Sequence, residues 1–262
     1  MRVVVTSNVD AYTADLLVGK WDSIRVLGLA TGSTPVNVYG RLIQHYYDGT
    51  ISFRDKRTFN LDEYLGLPPN HTQSYRATMV RDLIQYVDLP DDRFHVPPGI
   101  TDDYDAACTA YEDDIRASGG VDLWVLGIGV DGHIAFNEVG SGGDTRTRVV
   151  DLADSTVAAN MQYFDDDPEA VPKQAITAGV ATIMDARELM LLAKGESKAA
   201  AVANAVCGDR TGDTPASWLQ SHGNCTFVLD RSAAAGVLAK ASADATEVTS
   251  AAGHLHALQM VG

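Results

Sequence analysis

The amino-acid sequence predicts an α/β fold: a three-layer αβα, Rossmann-like domain with a mainly parallel sheet. Three observations point there. Short apolar runs alternate with stretches of helical spacing along most of the chain, as parallel strands joined by crossover helices require. Neither an internal repeat nor a low-complexity linker interrupts the 262 residues, a length that suits one large core. The segments after the apolar runs concentrate Gly, Ser, Thr, Lys and carboxylates. In open parallel sheets, ligands sit beyond the carboxyl ends of the strands.

The elements follow in order. Ile24 to Leu29 reads as a buried strand. Thr34 then Pro35 predicts a helix start, an N-cap with proline at the first helical position. Val36, Tyr39, Leu42, Ile43 and Tyr46 continue that helix with the right spacing. Arg57 to Leu61 is a second strand, Tyr75 to Ile84 a helix, and Phe94 to Val96 a short strand. Tyr104, Ala107, Cys108, Tyr111 and Ile115 mark a further helix. Val121 to Ile128 is the strongest buried strand, and Arg146 to Leu152 reads as extended. Pro172 to Met184 reads as helical, Glu188 to Ala193 as a strand, and Lys198 to Val206 as a helix. Thr226 to Leu229 is a strand and Ser232 to Lys240 a helix. The chain is expected to form a single domain over 1–262, with about 241–262 a helical or frayed tail.

Composition narrows the partners. Acidic residues outnumber basic ones, 35 to 20, for a formal net charge of −15. So acidic a surface repels a phosphate backbone, which argues against nucleic acid as a partner. Any anion must instead be caught locally, by loop amides, a helix N-terminus or a placed cation. Cys108, Cys207 and Cys225 are widely spaced with no Cys-x-x-Cys, which suggests neither a disulfide framework nor a zinc site. No run approaches the ~20 apolar residues of a membrane span, and Met1 to Val5 carry no cleavage signal. A reduced, cytoplasmic protein without a membrane partner is the expectation.

Four segments that follow strands carry the chemistry. Gly28-Leu29-Ala30-Thr31-Gly32-Ser33-Thr34-Pro35 runs from a strand through a small-residue turn into a helix N-terminus. Its free amides and hydroxyls suit a phosphate. No Gly-Lys-Ser/Thr follows, so it is not a P-loop. Phe59-Asn60-Leu61-Asp62-Glu63-Tyr64 places two adjacent carboxylates at a strand's end, pointing to opposite sides if the strand continues. One is then free to act as a general base while the other is structural.

The third segment runs from Gly127 to Glu138 and contains a literal G-x-G-x-x-G. Asp151 stands at the spacing of a dinucleotide site's acidic residue. The helix of ordinary length that such a site needs is missing, because Gly140-Ser141-Gly142-Gly143 follows within one or two turns. Asp131, His133 and Glu138 in one short loop instead suggest general acid–base work, with carboxylates fixing the imidazole tautomer. A metal site here lacks a second histidine. In the fourth segment, Lys194-Gly195-Glu196-Ser197-Lys198, a lysine sits at a helix N-terminus, against the dipole. That placement makes sense if Lys198 meets an anion.

Together these segments resemble the glucosamine-6-phosphate deaminase (isomerase) family. The matching stretches are Leu27 to Pro35, Thr58 to Leu67, Asp122 to Glu138 with Arg146-Thr147-Arg148, Val171 to Ala186, and Gly195 to Ala203. The related 6-phosphogluconolactonases look similar in the first loop and in Asp-Gly-His. They usually continue with Asp-Glu-Arg, and with Thr-Ala-Ser after the histidine.

The resemblance implies aldose–ketose isomerisation with deamination of glucosamine 6-phosphate to fructose 6-phosphate and ammonia, in amino-sugar catabolism. By position, His133 opens the pyranose ring, with Asp131 and Glu138 orienting it. Asp62 takes the C2 proton and returns it at C1. Thr31, Gly32, Ser33, Thr34 and Lys198 hold the phosphate. The resemblance implies no metal and no organic cofactor.

Departures bear on substrate and regulation. Gln162 stands where family members commonly carry an arginine that contacts the phosphate, which keeps galactosamine 6-phosphate open as an alternative substrate. Regulated members have a lysine where Val150 stands and a serine where Gly142 stands. Only Ser141 and Arg148 of that allosteric set remain. Regulated members are hexamers and others monomers, so both a monomer and a homo-oligomer stay open. A non-catalytic sugar-phosphate sensor usually carries a DNA-binding segment, and no basic helix-turn-helix candidate occurs here.

Overall fold

Alternate side chains of each apolar run face opposite layers, and this sets the architecture. The computed structural model describes residues 1–243 and 257–261. The chain opens with β1 (Arg2–Thr6), α1 (Val9–Gly19), β2 (Val26–Leu29), α2 (Ser33–Tyr47), β3 (Arg57–Asn60), β4 (Asp62–Tyr64), α3 (Tyr75–Asp82) and β5 (Phe94–His95). It continues with α4 (Tyr104–Ala117), β6 (Leu123–Leu126), β7 (Arg148–Asp151), α5 (Asp154–Asn160), β8 (Gln174–Thr177), α6 (Val180–Met184) and β9 (Glu188–Ala193). Then come α7 (Ala199–Cys207), β10 (Cys225–Leu229), α8 (Ala235–Ala243) and β11 (Ala257–Val261).

Eight strands form one sheet in the order β11-β1-β10-β9-β6-β2-β3-β5, and every paired neighbour is parallel. Trp124 and Leu126 of β6 pack into one layer with Tyr111 of α4, Ile183 of α6 and Val202 of α7. Leu123 and Val125 of the same strand pack into the other layer with Leu17 of α1, Leu42 of α2 and Met79 of α3. A strand buried on both faces reads as a continuous apolar run, which is why β6 and β9 were legible in the sequence. Gly28 is required where the layers meet the sheet: a Cβ there would lie 1.9 Å from a ring carbon of Trp124.

A second sheet of three strands, β4-β8-β7, is antiparallel. It places Thr177 opposite Asp62 on one side and opposite Arg148 on the other. Leu61 still donates its amide to Leu29 of the large sheet, at 3.2 Å. Asp62 therefore stands where the chain passes from one sheet to the other.

Three expectations are corrected. The stretch Pro172 to Met184 is not one helix: Gln174–Thr177 is a strand and only Val180–Met184 is helical. Ala175, Ile176 and Thr177 are fully buried between β4 and β7, and a short apolar run fits either period. The helix expected to begin after an N-cap at Thr34 begins at Ser33, with Gly32 as N-cap at φ 101°. Only glycine adopts that backbone without cost, so the turn falls two residues earlier than the hydroxyl suggests. Part of the expected helical or frayed tail over 241–262 lies outside the described residues. Ala257–Val261, however, pairs in parallel with β1 from Arg2↔Ala257 to Thr6↔Val261. The open edge of β1 accepts it. Elements the sequence reading left unassigned are β1, α1, β4 and α5.

Candidate active site

The carboxyl ends of the parallel strands open onto a cavity of about 600 Å³. The β2–α2 turn, β4, the loop after β6, α3, the α5 region and Lys198 all contribute to its wall. Thr31, Gly32, Ser33 and Thr34 line it, as do Asp62, Asp131, His133 and Lys198. Gly32 makes no side-chain cap on α2, which leaves the first-turn amides without a side-chain acceptor from the N-cap position. Those amides carry the positive end of the helix dipole, a seat for an anion.

The two adjacent carboxylates separate as the pleat requires. Asp62 lines the cavity and is 6% exposed. Burial, reinforced by the charge of Glu63, pushes its carboxyl up to about 8. Glu63 turns the other way. Its Oε1 accepts the amides of Tyr64 at 2.9 Å and Tyr75 at 2.7 Å, and its Oε2 accepts that of Arg76 at 2.9 Å. It thus satisfies two orphan amides at the start of α3, while Ser74 caps that of Ala77 at 3.0 Å. Burial raises Glu63 above the usual carboxylate range, against the pull of these hydrogen bonds.

The loop after β6 is folded tightly on itself. Gly129 donates to the His133 carbonyl at 2.9 Å, and Gly132 donates to Gly129 at 3.2 Å. The Nδ1 atom of His133 lies 2.7 Å from Asp131 Oδ1. The approach is close but not aligned as a hydrogen bond, since Nδ1 is buried without a hydrogen-bonding partner among the described residues, and the same Asp131 Oδ1 accepts the His133 amide at 3.2 Å. A proton placed on Nδ1 would meet the carboxylate and leave Nε2 to exchange one. Glu138 does not join this pair. It is absent from the cavity wall, its Oε2 accepts the amide of Ala153 at 2.7 Å, and its Oε1 is buried without a hydrogen-bonding partner among the described residues. Of the two carboxylates expected to orient the imidazole, Asp131 is in contact with it here, and Glu138 makes no hydrogen bond or ion pair with it among the described residues. Glu138 holds the entrance to α5 through its bond to Ala153.

Lys198 reaches the cavity half-buried, and no carboxylate pairs with it within 4 Å among the described residues. Burial lowers its ammonium, an effect that the charge of Asp131 opposes. Gln162 is turned back on its own segment, its Nε2 donating to the Ala159 carbonyl at 2.8 Å, and it does not line the cavity. Its neighbours Tyr163 and Phe164 do.

Ser141 and Arg148 meet outside the cavity, with Arg148 Nη2 3.3 Å from Ser141 Oγ. Among the described residues, no group of three or more His, Cys, Asp and Glu side chains is placed to hold a metal ion. The sequence reading missed Tyr64, Tyr75 and Asn160 in the wall. Asn160 donates to the Tyr64 hydroxyl at 2.8 Å and so ties α5 to β4. The Asp-Glu-Tyr triplet was the available signal for Tyr64, but nothing local marks Asn160.

Comparison with known proteins decides the family. Residues 19–228 match the family described as glucosamine-6-phosphate isomerases/6-phosphogluconolactonase. The chain belongs to this family. It is 50% identical over 210 residues to glucosamine-6-phosphate deaminase 2 of Bacillus subtilis, covering 80% of this chain and 84% of that one. It is 51% identical over 209 residues to glucosamine-6-phosphate deaminase of Rhodopirellula baltica, covering 80% and 83%. Among solved structures, a monomeric glucosamine-6-phosphate deaminase superposes with a TM-score of 0.83 at 38% identity, covering 90% of this chain and all (100%) of that one. The 6-phosphogluconolactonase of Thermotoga maritima, at 19% identity and a TM-score of 0.70 over 88% of this chain and 100% of that one, shares the fold. Both arms of the glucosamine-6-phosphate isomerase/6-phosphogluconolactonase family thus use this architecture, and the high identities lie with the deaminases.

Proposed function

We propose that this enzyme of carbohydrate metabolism converts glucosamine 6-phosphate and water to fructose 6-phosphate and ammonia. The observation that carries the reading is the convergence, in one cavity, of a buried carboxyl raised to about 8, an Asp131–His133 pair at 2.7 Å, a helix N-terminus that suits an anion, and Lys198. The identity to named deaminases supports the choice of substrate.

The phosphate sits on the α2 amides, with the hydroxyls of Thr31, Ser33 and Thr34 and the ammonium of Lys198 around it. His133, oriented by Asp131, moves the proton that opens the ring. In the open aldehyde, Asp62 removes the C2 proton while the C1 oxygen gains one, giving an enolamine. Asp62 then returns the proton to C1, leaving an iminium at C2. Water adds there, the C2–N bond breaks, and ammonia leaves as the C2 ketone forms. One carboxyl serves both transfers, which its raised affinity for a proton suits. The substrate supplies its own amine and hydroxyl groups; the protein supplies position and proton transfer.

A cytoplasmic setting belongs to the same reading, supported by the free thiols of Cys108, Cys207 and Cys225. No helix among the described residues is long and apolar enough to cross a membrane.

The test is to incubate the purified protein with glucosamine 6-phosphate and quantify ammonia and fructose 6-phosphate, with galactosamine 6-phosphate and 6-phosphogluconolactone in parallel. Ammonia and ketose phosphate in equal amounts are expected from the gluco substrate. Silence there with turnover of the galacto epimer or the lactone would overturn the substrate and keep the site.

A further inference from the structure

Asp62 and His133 belong to different parts of the fold. Asp62 lies on the small antiparallel sheet, and His133 lies in a loop leaving the large parallel one. Neither sheet alone fixes how the two groups face each other. Tyr64 of β4 packs on Phe136 of the loop, with ring centroids 5.6 Å apart. The side-chain hydrogen bonds between the two parts fall on two residues outside the cavity wall, Asn137 and Thr177, both 0% exposed.

Thr177 stands opposite Asp62 in the β4–β8 register. Its Oγ1 accepts the amide of Phe136 at 3.1 Å, three residues beyond His133. Asn137 donates through Nδ2 to the carbonyls of Ile134 at 3.0 Å and Ala178 at 2.8 Å. The Ala178 amide donates to the carbonyl of Leu61, the residue before Asp62, at 2.6 Å. One residue, Ala178, therefore links Asn137 through its carbonyl to the backbone that leads into Asp62 through its amide. Arg148 Nη1 donates to Asn137 Oδ1 at 2.9 Å, which turns the amide nitrogen toward the two carbonyls. Between Ile134 and Asn137 the turn holds Ala135 at φ 51°. A residue with a Cβ keeps that left-handed backbone only where its surroundings over-determine it.

We infer that Asn137 and Thr177 are positioning residues that register the His133 loop against the Asp62 strand; the inference rests on the proposed roles of those two groups. Neither touches substrate. Each satisfies backbone groups in a dry interior, where an unmade hydrogen bond is costly and the backbone shifts to find another partner. A shift of about 1 Å between proton donor and acceptor costs about 100-fold in rate.

Thr177→Val, Thr177→Ser and Asn137→Asp test this with glucosamine 6-phosphate. Valine keeps the shape and removes the acceptor for Phe136 together with the hydroxyl's longer bond, donated to the Ala178 carbonyl at 3.4 Å. Aspartate keeps shape and an acceptor for Arg148 but loses both donated bonds. Thr177→Val and Asn137→Asp are expected to lower kcat about 10- to 100-fold while KM stays within about threefold. Their pH profiles of kcat/KM are expected to shift, because the surroundings of Asp62 and His133 change together. Serine at 177 is expected to restore most of kcat. Folded variants with wild-type kcat and pH profile would overturn the inference, as would losses fully explained by the folded fraction. Failure of both variants to fold would assign the pair to the fold and also overturn it. A wild-type protein silent on glucosamine 6-phosphate would instead overturn the functional reading.

Discussion

Asp62 and Glu63 present adjacent carboxylates to opposite sides of β4, one to the cavity and one to the amides of Tyr64, Tyr75 and Arg76. The second shapes the first in two ways. It anchors α3, whose Tyr75 lines the cavity beside Asp62. Its charge adds to burial in raising the Asp62 carboxyl. A base that holds its proton this strongly is costly to the fold and useful to the reaction.

Asp62→Asn separates these effects. Activity is expected to fall about 100- to 10,000-fold, the range of a general acid–base group. Stability moves the other way at high pH. The folded state keeps the Asp62 proton up to about 8, whereas the ordinary value is 3.8, so stability from this group falls as pH rises through that window. Asparagine imitates the protonated form at every pH. Thermal unfolding above pH 8 is expected to favour the variant by a few kcal/mol, on the order of the linkage, and to favour it less at low pH. The wild-type kcat/KM is expected to climb toward pH 8 as the base is freed. A flat profile with equal unfolding curves would reject the assignment.

Lys198 supplies the second prediction. It lines the same cavity as the α2 N-terminus, without a carboxylate partner within 4 Å among the described residues. Lys198→Gln is expected to raise KM for a 6-phosphate substrate about 10- to 100-fold, the value of a charge-assisted hydrogen bond. Because the phosphate is remote from C1 and C2, kcat is expected to change less. Inorganic phosphate should inhibit the wild type competitively and the variant more weakly. A change confined to kcat would move Lys198 from binding to chemistry.

The sheet and the site were legible in the sequence to different depths. Buried strands such as Glu188 to Ala193 declare themselves because both faces are apolar. The alternation of Asp62 and Glu63 was legible too, since a pleat has only two sides. The strand at Gln174–Thr177 was not, because its neighbours β4 and β7 are long-range partners that local spacing cannot reveal. The position of Glu138 was not legible for a related reason. Proximity in sequence to His133 suggested a shared role, but its partner is the Ala153 amide of a later helix. Long-range hydrogen bonds, not composition, decide where such a carboxylate goes.

His95, outside the cavity wall, gives a pH prediction. Its Nε2 lies 2.7 Å from Arg57 Nη1, and its ring stacks on Phe59 with centroids 4.6 Å apart. Burial, then the Arg57 charge, holds its pKa below the ordinary value of 6.5. A depressed histidine contributes stability that is present above the unfolded pKa and lost as pH falls through the folded one. Wild-type stability is therefore expected to drop between neutral pH and about pH 5. His95→Gln keeps an acceptor for Arg57 without titrating, so its unfolding midpoint should be less acid-sensitive over the same window. Parallel curves for the two proteins would show that other groups set the acid limb.

The net charge of −15 carries the last prediction. Like charges on a compact body repel one another, and unfolding relieves that repulsion. Added salt screens it, with a Debye length falling from about 30 Å at 0.01 M to about 8 Å at 0.15 M. The same salt weakens surface pairs such as Lys173–Glu169 at 3.8 Å and Arg93–Asp55 at 3.9 Å. Each exposed pair is worth only about 0–1 kcal/mol, and 20 basic residues cannot neutralise 35 acidic ones. The repulsive part wins, so the unfolding midpoint is expected to rise with potassium chloride across that range. Holding the series below about 0.3 M separates screening from the strengthening of apolar burial at high salt. A midpoint that falls with salt would mean that local pairing outweighs the excess negative charge.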